Sequence, residues 1–153
     1  MKPKIGDTCP TFELKNQDGK LINIKNFIGH QHLVIYFYPK DNTGGCTAQA
    51  CEFRNQMDEF SKLNATIFGI SSDSVKSHKD FATKNNLTFD ILSDENGIIR
   101  NKFSVKKSIF GLIQGRETFV VDKDGIIRGI YNSLSNVKAH VEFAKKILSK
   151  LKD

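Results

Sequence analysis

The stretch PKDNTGGCTAQAC, Pro39 to Cys51, carries two of the chain's three cysteines, with a threonine three positions before the first. The spacing is too long for the C-x-x-C redox pair. Cys46, Ala50, Phe53, Met57 and Phe60 recur at helical intervals, so Cys46 falls where a loop ends and a helix begins. The unpaired N–H groups and positive dipole end of a first helical turn both favour a thiolate. The Thr43 hydroxyl can accept and donate at once, holding the sulfur with one function and a polar ligand with the other. Gly44 and Gly45 keep side chains out of the approach and leave backbone N–H groups free.

Five residues of α-helix advance about 7.5 Å and turn about 500°, which leaves two side chains about 140° apart. A disulfide needs Cα atoms within about 7 Å and converging Cβ vectors. An intact helix therefore separates Cys46 from Cys51, and they can join only if its first turns unwind. Peroxide chemistry uses such a switch. The first thiolate is oxidised to a sulfenic acid, the second thiol condenses with it, and a dithiol reductant restores both. On spacing alone, two buried helix cysteines with no redox role explain the pair equally well.

The elements that must place these residues are legible as patterns. TFELKNQDGKLINI reads as two short strands around an Asp18-Gly19 turn. HLVIYFYP is a continuous apolar run ending at Pro39, suited to a strand buried on both faces, and NATIFGISS is a second. The helix between them makes a right-handed parallel crossover. SDSVKSHKDFATKNN follows as a helix with Asp73 as its N-cap, then FDILSD as a strand and NGIIRNKFS as a short helix. GRETFVVDKDGIIRGIY is a hairpin turning at Asp124-Gly125. Val137, Val141, Ala144, Leu148 and Leu151 stripe a closing helix opposite Lys138, Lys145, Lys146 and Lys150. The expected fold is α/β, with a mixed central sheet flanked by helices. Its element order is that of a thioredoxin-like fold with an N-terminal β extension.

With the elements in place, the motif resembles the active-site stretch of peroxiredoxins, in particular the bacterioferritin-comigratory-protein (PrxQ) subfamily, an atypical 2-Cys type. The family's Pro-x-x-x-Thr/Ser-x-x-Cys is matched by Pro39, Thr43 and Cys46, its resolving cysteine by Cys51, and its active-site arginine by Arg116 in GRETFVVD. GDTCPTFEL is similar to the family's opening G-D-x-A-P-x-F. The resemblance spans the whole chain. It implies an antioxidant enzyme, a thioredoxin-dependent peroxidase acting on hydrogen peroxide and organic hydroperoxides. Cys46 would be peroxidatic, forming a Cys46–Cys51 redox disulfide; Thr43, Gly45, Cys46 and Arg116 would bind peroxide, and Pro39 would shield the sulfur. Arg116 would stabilise the thiolate and polarise the O–O bond.

Two positions depart from the family pattern. Gly44 stands where proline is usual, which loosens the loop. Gln49 stands where glutamate is usual, which keeps the hydrogen-bonding reach without the charge.

Other readings carry less of the sequence. A disulfide oxidoreductase would want C-x-x-C. A redox sensor would share the Cys46 chemistry but turn over slowly. Cys9 aligns with a small packed residue, and His30, His32, His78 and His140 show no metal-ligand spacing with the cysteines, so they read as surface or structural and no metal or cofactor is expected.

The 153 residues, 39% hydrophobic and 26% charged, describe one globular domain spanning 1–153. The net charge of +6 is dispersed, without the basic-aromatic motif of a nucleic-acid binder. No apolar run approaches the ~20 residues of a membrane span. MKPKIGDTCP lacks the apolar region of a secretion signal, which points to a cytoplasmic protein. The expected partners are a peroxide and thioredoxin or a similar dithiol reductant. A monomer is expected, since the disulfide needs no second chain.

Overall fold

The computed structural model describes residues 2–107, 111 and 113–151. Its strands are β1 (Glu13–Lys15), β2 (Leu21–Asn23), β3 (His32–Phe37), β4 (Ala65–Ser71), β5 (Asp90–Ser93), β6 (Glu117–Val121) and β7 (Ile127–Asn132). Its helices are α1 (Gly44–Asn55), α2 (Met57–Lys62), α3 (Val75–Lys84), α4 (Ile98–Lys102) and α5 (Val137–Ser149), with a 3-10 turn at Ile24–Asn26. The strands form one sheet in the order β2-β1-β5-β4-β3-β6-β7. β3, β4 and β5 are mutually parallel neighbours, while β1 on one side and β6 on the other run antiparallel to them. This is the mixed α/β sheet the sequence predicts. Both hairpins form where the Asp-Gly signals place them.

Every residue of β3 is buried, as its unbroken apolar run requires, and its side chains alternate between two core layers. Val34, Tyr36 and Tyr38 pack in one layer with Cys46 and Phe53 of α1, Phe81 of α3, and Val141, Ala144 and Leu148 of α5. Leu33, Ile35 and Phe37 pack in the other with Cys9, Phe12, and Ile99 and Phe103 of the α4 region. Cys9 and Cys46 thus lie on opposite faces of the sheet.

Two local expectations need correction. The apolar stripe from Cys46 to Phe60 is not one helix: the chain breaks at Gln56, and α2 begins at Met57. The N-cap of α3 is Ser74, whose hydroxyl accepts from Ser77 N, rather than Asp73. The Asp73 carboxylate instead accepts from Ser71 Oγ, two residues back, and from Asp41 N, a contact between distant segments that local sequence does not encode.

Candidate active site

The β3–β6 register brings the chemistry together. Phe37 pairs with Glu117 at the end of the ladder. Tyr38 and Pro39 leave one strand just where Arg116 enters the other. The chain then bends through Asn42, in the left-handed region at φ 63°. Asparagine tolerates that conformation better than most residues. Thr43 is the extended N-cap of α1, and Thr47 N closes the first helical bond onto Thr43 O at 2.9 Å.

Cys46 is the third residue of α1 and is 1% exposed. Arg116, itself buried, donates from Nη2 to Cys46 Sγ at 3.4 Å, from Nε to Leu134 O at 2.9 Å, and from Nη1 to Gln49 Oε1. Gln49 gives the guanidinium an acceptor without giving it a negative charge. Cys46 is therefore the one ionisable group hydrogen-bonded to Arg116 among the described residues. Arg116 thus sets a buried cation within hydrogen-bonding distance of the Cys46 sulfur.

Gly45 is favoured by close approach. A Cβ there would lie 3.2 Å from Arg116 Nη2. Gly44 meets nothing within 4 Å, so the space around it does not demand glycine. Thr43 departs from expectation. Its exposed hydroxyl donates to Lys40 O at 2.9 Å and makes no cap bond. The hydroxyl's one proton stays within the loop, so it does not hold the sulfur by donation, while its lone pairs remain able to accept.

Cys46 and Cys51 are both free thiols within an intact α1. Cys51 is partly exposed, and its sulfur lies 3.8 Å from Asn85 Oδ1 at the C-cap of α3. Arg54 Nη1 donates to Asn85 O at 2.7 Å, so one α3 residue meets α1 at two points. Cys9 is sealed in the other layer, and burial pushes its thiol up to about 12.

Sequence patterns missed two groups beneath the loop. Tyr38 Oη donates to Asp41 Oδ1 at 2.6 Å, and Asp41 Oδ2 meets Ser77 Oγ at 2.8 Å and His78 Nδ1 at 2.7 Å. His78 Nε2 faces Leu92 O at 3.0 Å. Asp41, Asp73 and His78 approach as metal ligands would, but their atoms are already joined to one another and to neighbours. The second group is Arg100, which donates to Tyr38 O and Gly115 O. Burial lowers Arg100 to about 10, opposed by the charges of Asp94 and Cys46, so it stays cationic at neutral pH.

A family model described as the AhpC/TSA family matches residues 5–130. A chloroplastic peroxiredoxin Q of Sedum lineare is 44% identical over 147 residues, covering 96% of this chain and 78% of that protein. Among solved structures, peroxidoxin BcpB of Mycobacterium tuberculosis superposes with a TM-score of 0.90 at 33% identity, covering 99% of both chains. The bacterioferritin comigratory protein of Xanthomonas campestris, described by its alkyl peroxide reduction activity, does so at 0.83 and 30%, covering 94% of this chain and 98% of that one.

The Sedum protein is chloroplastic, as are the relatives from Populus and Arabidopsis. The cytoplasmic placement is therefore corrected, since these relatives point to a plastid.

Proposed function

The chain belongs to the AhpC/TSA family of peroxiredoxins, and from that premise we propose that Cys46 is its peroxidatic cysteine and Cys51 its resolving cysteine. The family activity is that of a thiol peroxidase, an oxidoreductase that reduces peroxides with electrons from a thioredoxin-type reductant. The observation that carries the assignment is the Arg116 Nη2 to Cys46 Sγ contact of 3.4 Å on the first turn of α1.

In this reading the Cys46 thiolate attacks one peroxide oxygen and the O–O bond breaks. The leaving oxygen departs as hydroxide or alkoxide and takes a proton. Sulfur loses two electrons and becomes a sulfenic acid. Arg116 acts electrostatically, balancing charge as it moves from sulfur to the leaving oxygen. Gly45 leaves room for the peroxide beside that guanidinium, the Thr43 lone pairs accept a hydrogen bond from the peroxide, and Pro39 shapes the loop.

The first turns of α1 then unwind and Cys51 leaves Asn85. Its sulfur attacks Cys46, the S–OH bond breaks and water departs. A dithiol reductant returns two electrons by exchange. Hydrogen peroxide and organic hydroperoxides are both substrates in this reading, the latter supported by the Xanthomonas relative's alkyl peroxide reduction. The disulfide lies within one chain, so a monomer of one domain suffices.

The test is peroxide consumption coupled to a thioredoxin system. Cys46→Ser should abolish turnover, and robust activity in that variant would sink the assignment. Cys51→Ser should keep the first oxidation and lose thioredoxin-driven cycling. Mass spectrometry of the oxidised wild type should find a Cys46–Cys51 link; a Cys9–Cys46 link would overturn it.

A further inference from the structure

Arg100 is 3% exposed, and the chemistry above makes no use of it. It donates from Nη2 to Tyr38 O at 2.8 Å and from Nη1 to Gly115 O at 3.0 Å. These are the carbonyls of the residues just before Pro39 and Arg116. The β3–β6 ladder has its last pair at Phe37 and Glu117, and beyond it the two strands part toward different loops. One planar guanidinium takes the two carbonyls at the point of parting, and it also lies over the Phe37 ring, 5.6 Å from the centroid. Its own position is fixed by Asp94, whose carboxylate accepts from Ile99 N at 3.1 Å and Arg100 N at 2.9 Å.

We propose that Arg100 is a positioning residue of the peroxidatic site, bridging Tyr38 to Gly115 so that the Cys46 loop and Arg116 keep their separation, and setting a second buried positive charge within electrostatic reach of Cys46. A fork is suited to two carbonyls at once, whereas an ammonium is a point charge on a flexible stem. The charged and titratable groups around the pair are few. Arg116, just ahead of β6, bonds Cys46, and Tyr36 from β3 lies within electrostatic reach of it; Asp41 and Cys51 act on Tyr36, and Arg116 acts on His140 of α5. Asp94 faces Arg100. The proposal rests on the assignment of Cys46 as the peroxidatic cysteine.

The experiment compares Arg100→Met and Arg100→Lys with wild type. It reads the pH midpoint of iodoacetamide labelling at Cys46, resolved by mass, and the rate constant with hydrogen peroxide. In Arg100→Met the midpoint should rise, and the rate constant should fall about 10- to 100-fold. Arg100→Lys should hold the midpoint near wild type while recovering only part of the rate, because charge is kept and the bridge is lost. A folded Arg100→Met with unchanged midpoint and rate overturns the proposal. So does a change in melting temperature alone, with the folded fraction reacting as wild type. If the methionine variant does not fold, the lysine variant decides, and a wild-type rate constant there overturns the bridge. Cys46→Ser run alongside separates the two failures. Turnover in that variant rejects the underlying assignment, whereas loss of turnover there with wild-type Arg100 variants rejects only the bridge.

Discussion

Arg116 and Cys46 stand 70 positions apart in the chain, yet Nη2 of one lies 3.4 Å from Sγ of the other, both shut away from solvent. The contact is set by strand register, because Phe37 pairs with Glu117. Arg116→Met should therefore lower the rate constant with peroxide by ~10²–10³-fold, the usual cost of removing a preorganised donor. Arg116→Lys should recover only part of it, since one ammonium cannot serve Leu134 O, Gln49 and the sulfur together. Competition against a peroxidase of known rate measures both.

Gly115 is fixed by its neighbour rather than by its backbone angles. A Cβ there would lie 2.0 Å from the backbone oxygen of Lys106, so Gly115→Ala must push two backbone segments apart. Overpacking of this kind costs about 1–3 kcal/mol, and the displaced residue is next to Arg116. The expected outcome is a lower melting temperature together with a disproportionate loss of peroxide rate. Unchanged kinetics in the folded fraction would contradict it.

Gly44 is the first residue of α1, has no left-handed φ and has open space around it. Proline is well suited to a first helical position. Gly44→Pro should stiffen the start of α1, slow formation of the Cys46–Cys51 disulfide and leave the sulfenic acid exposed longer to further oxidation. A titration with excess peroxide should then yield more Cys46 sulfinic acid by mass than wild type. No change in either would count against local unwinding as the slow step.

His140 should make stability fall on mild acidification. Burial lowers it to about 4 from the ordinary 6.5, aided by the Arg116 charge and opposed by its bond to Ser133 O. Its Nε2 lies 2.7 Å from Ser133 O, and its Nδ1 2.8 Å from Thr118 Oγ1. Since its folded-state value is depressed, the unfolded chain binds the proton more readily. Stability from this residue is complete above about pH 6.5, declines as pH falls toward 4 and is then gone, an effect of up to about 3 kcal/mol. Urea midpoints between pH 7 and 4 should show that decline, and a folded His140→Gln variant should show less of it.

The parts of this structure that follow from local pattern were readable in the sequence. β3 and β4 announce themselves as apolar runs, the hairpins as Asp-Gly turns, and α5 as a stripe. Pro39, Thr43, Cys46, Cys51 and Arg116 stand out by motif, and the structure puts Arg116 against Cys46. What escaped depends on register and layer stacking. Arg100 reads locally as one basic residue of a short helix, and only the parting of β3 from β6 gives its charge two carbonyls to hold. Asp73 has the composition of an N-cap, but Asp41 N and Ser71 Oγ claim its carboxylate. Thr43 was expected to hold the sulfur with its hydroxyl, and the Lys40 carbonyl takes that proton.

The placement of Cys9 and Cys46 on opposite faces of the sheet has a consequence for anyone counting thiols. The sheet stands between them and Cys9 is itself buried, so oxidant that reaches Cys46 should leave Cys9 reduced. Cys9 therefore serves as an internal standard carried by every molecule. After full oxidation and denaturation in the absence of reductant, one titratable thiol should remain per chain; none would report that Cys9 had been oxidised, and two that the Cys46–Cys51 disulfide had not formed.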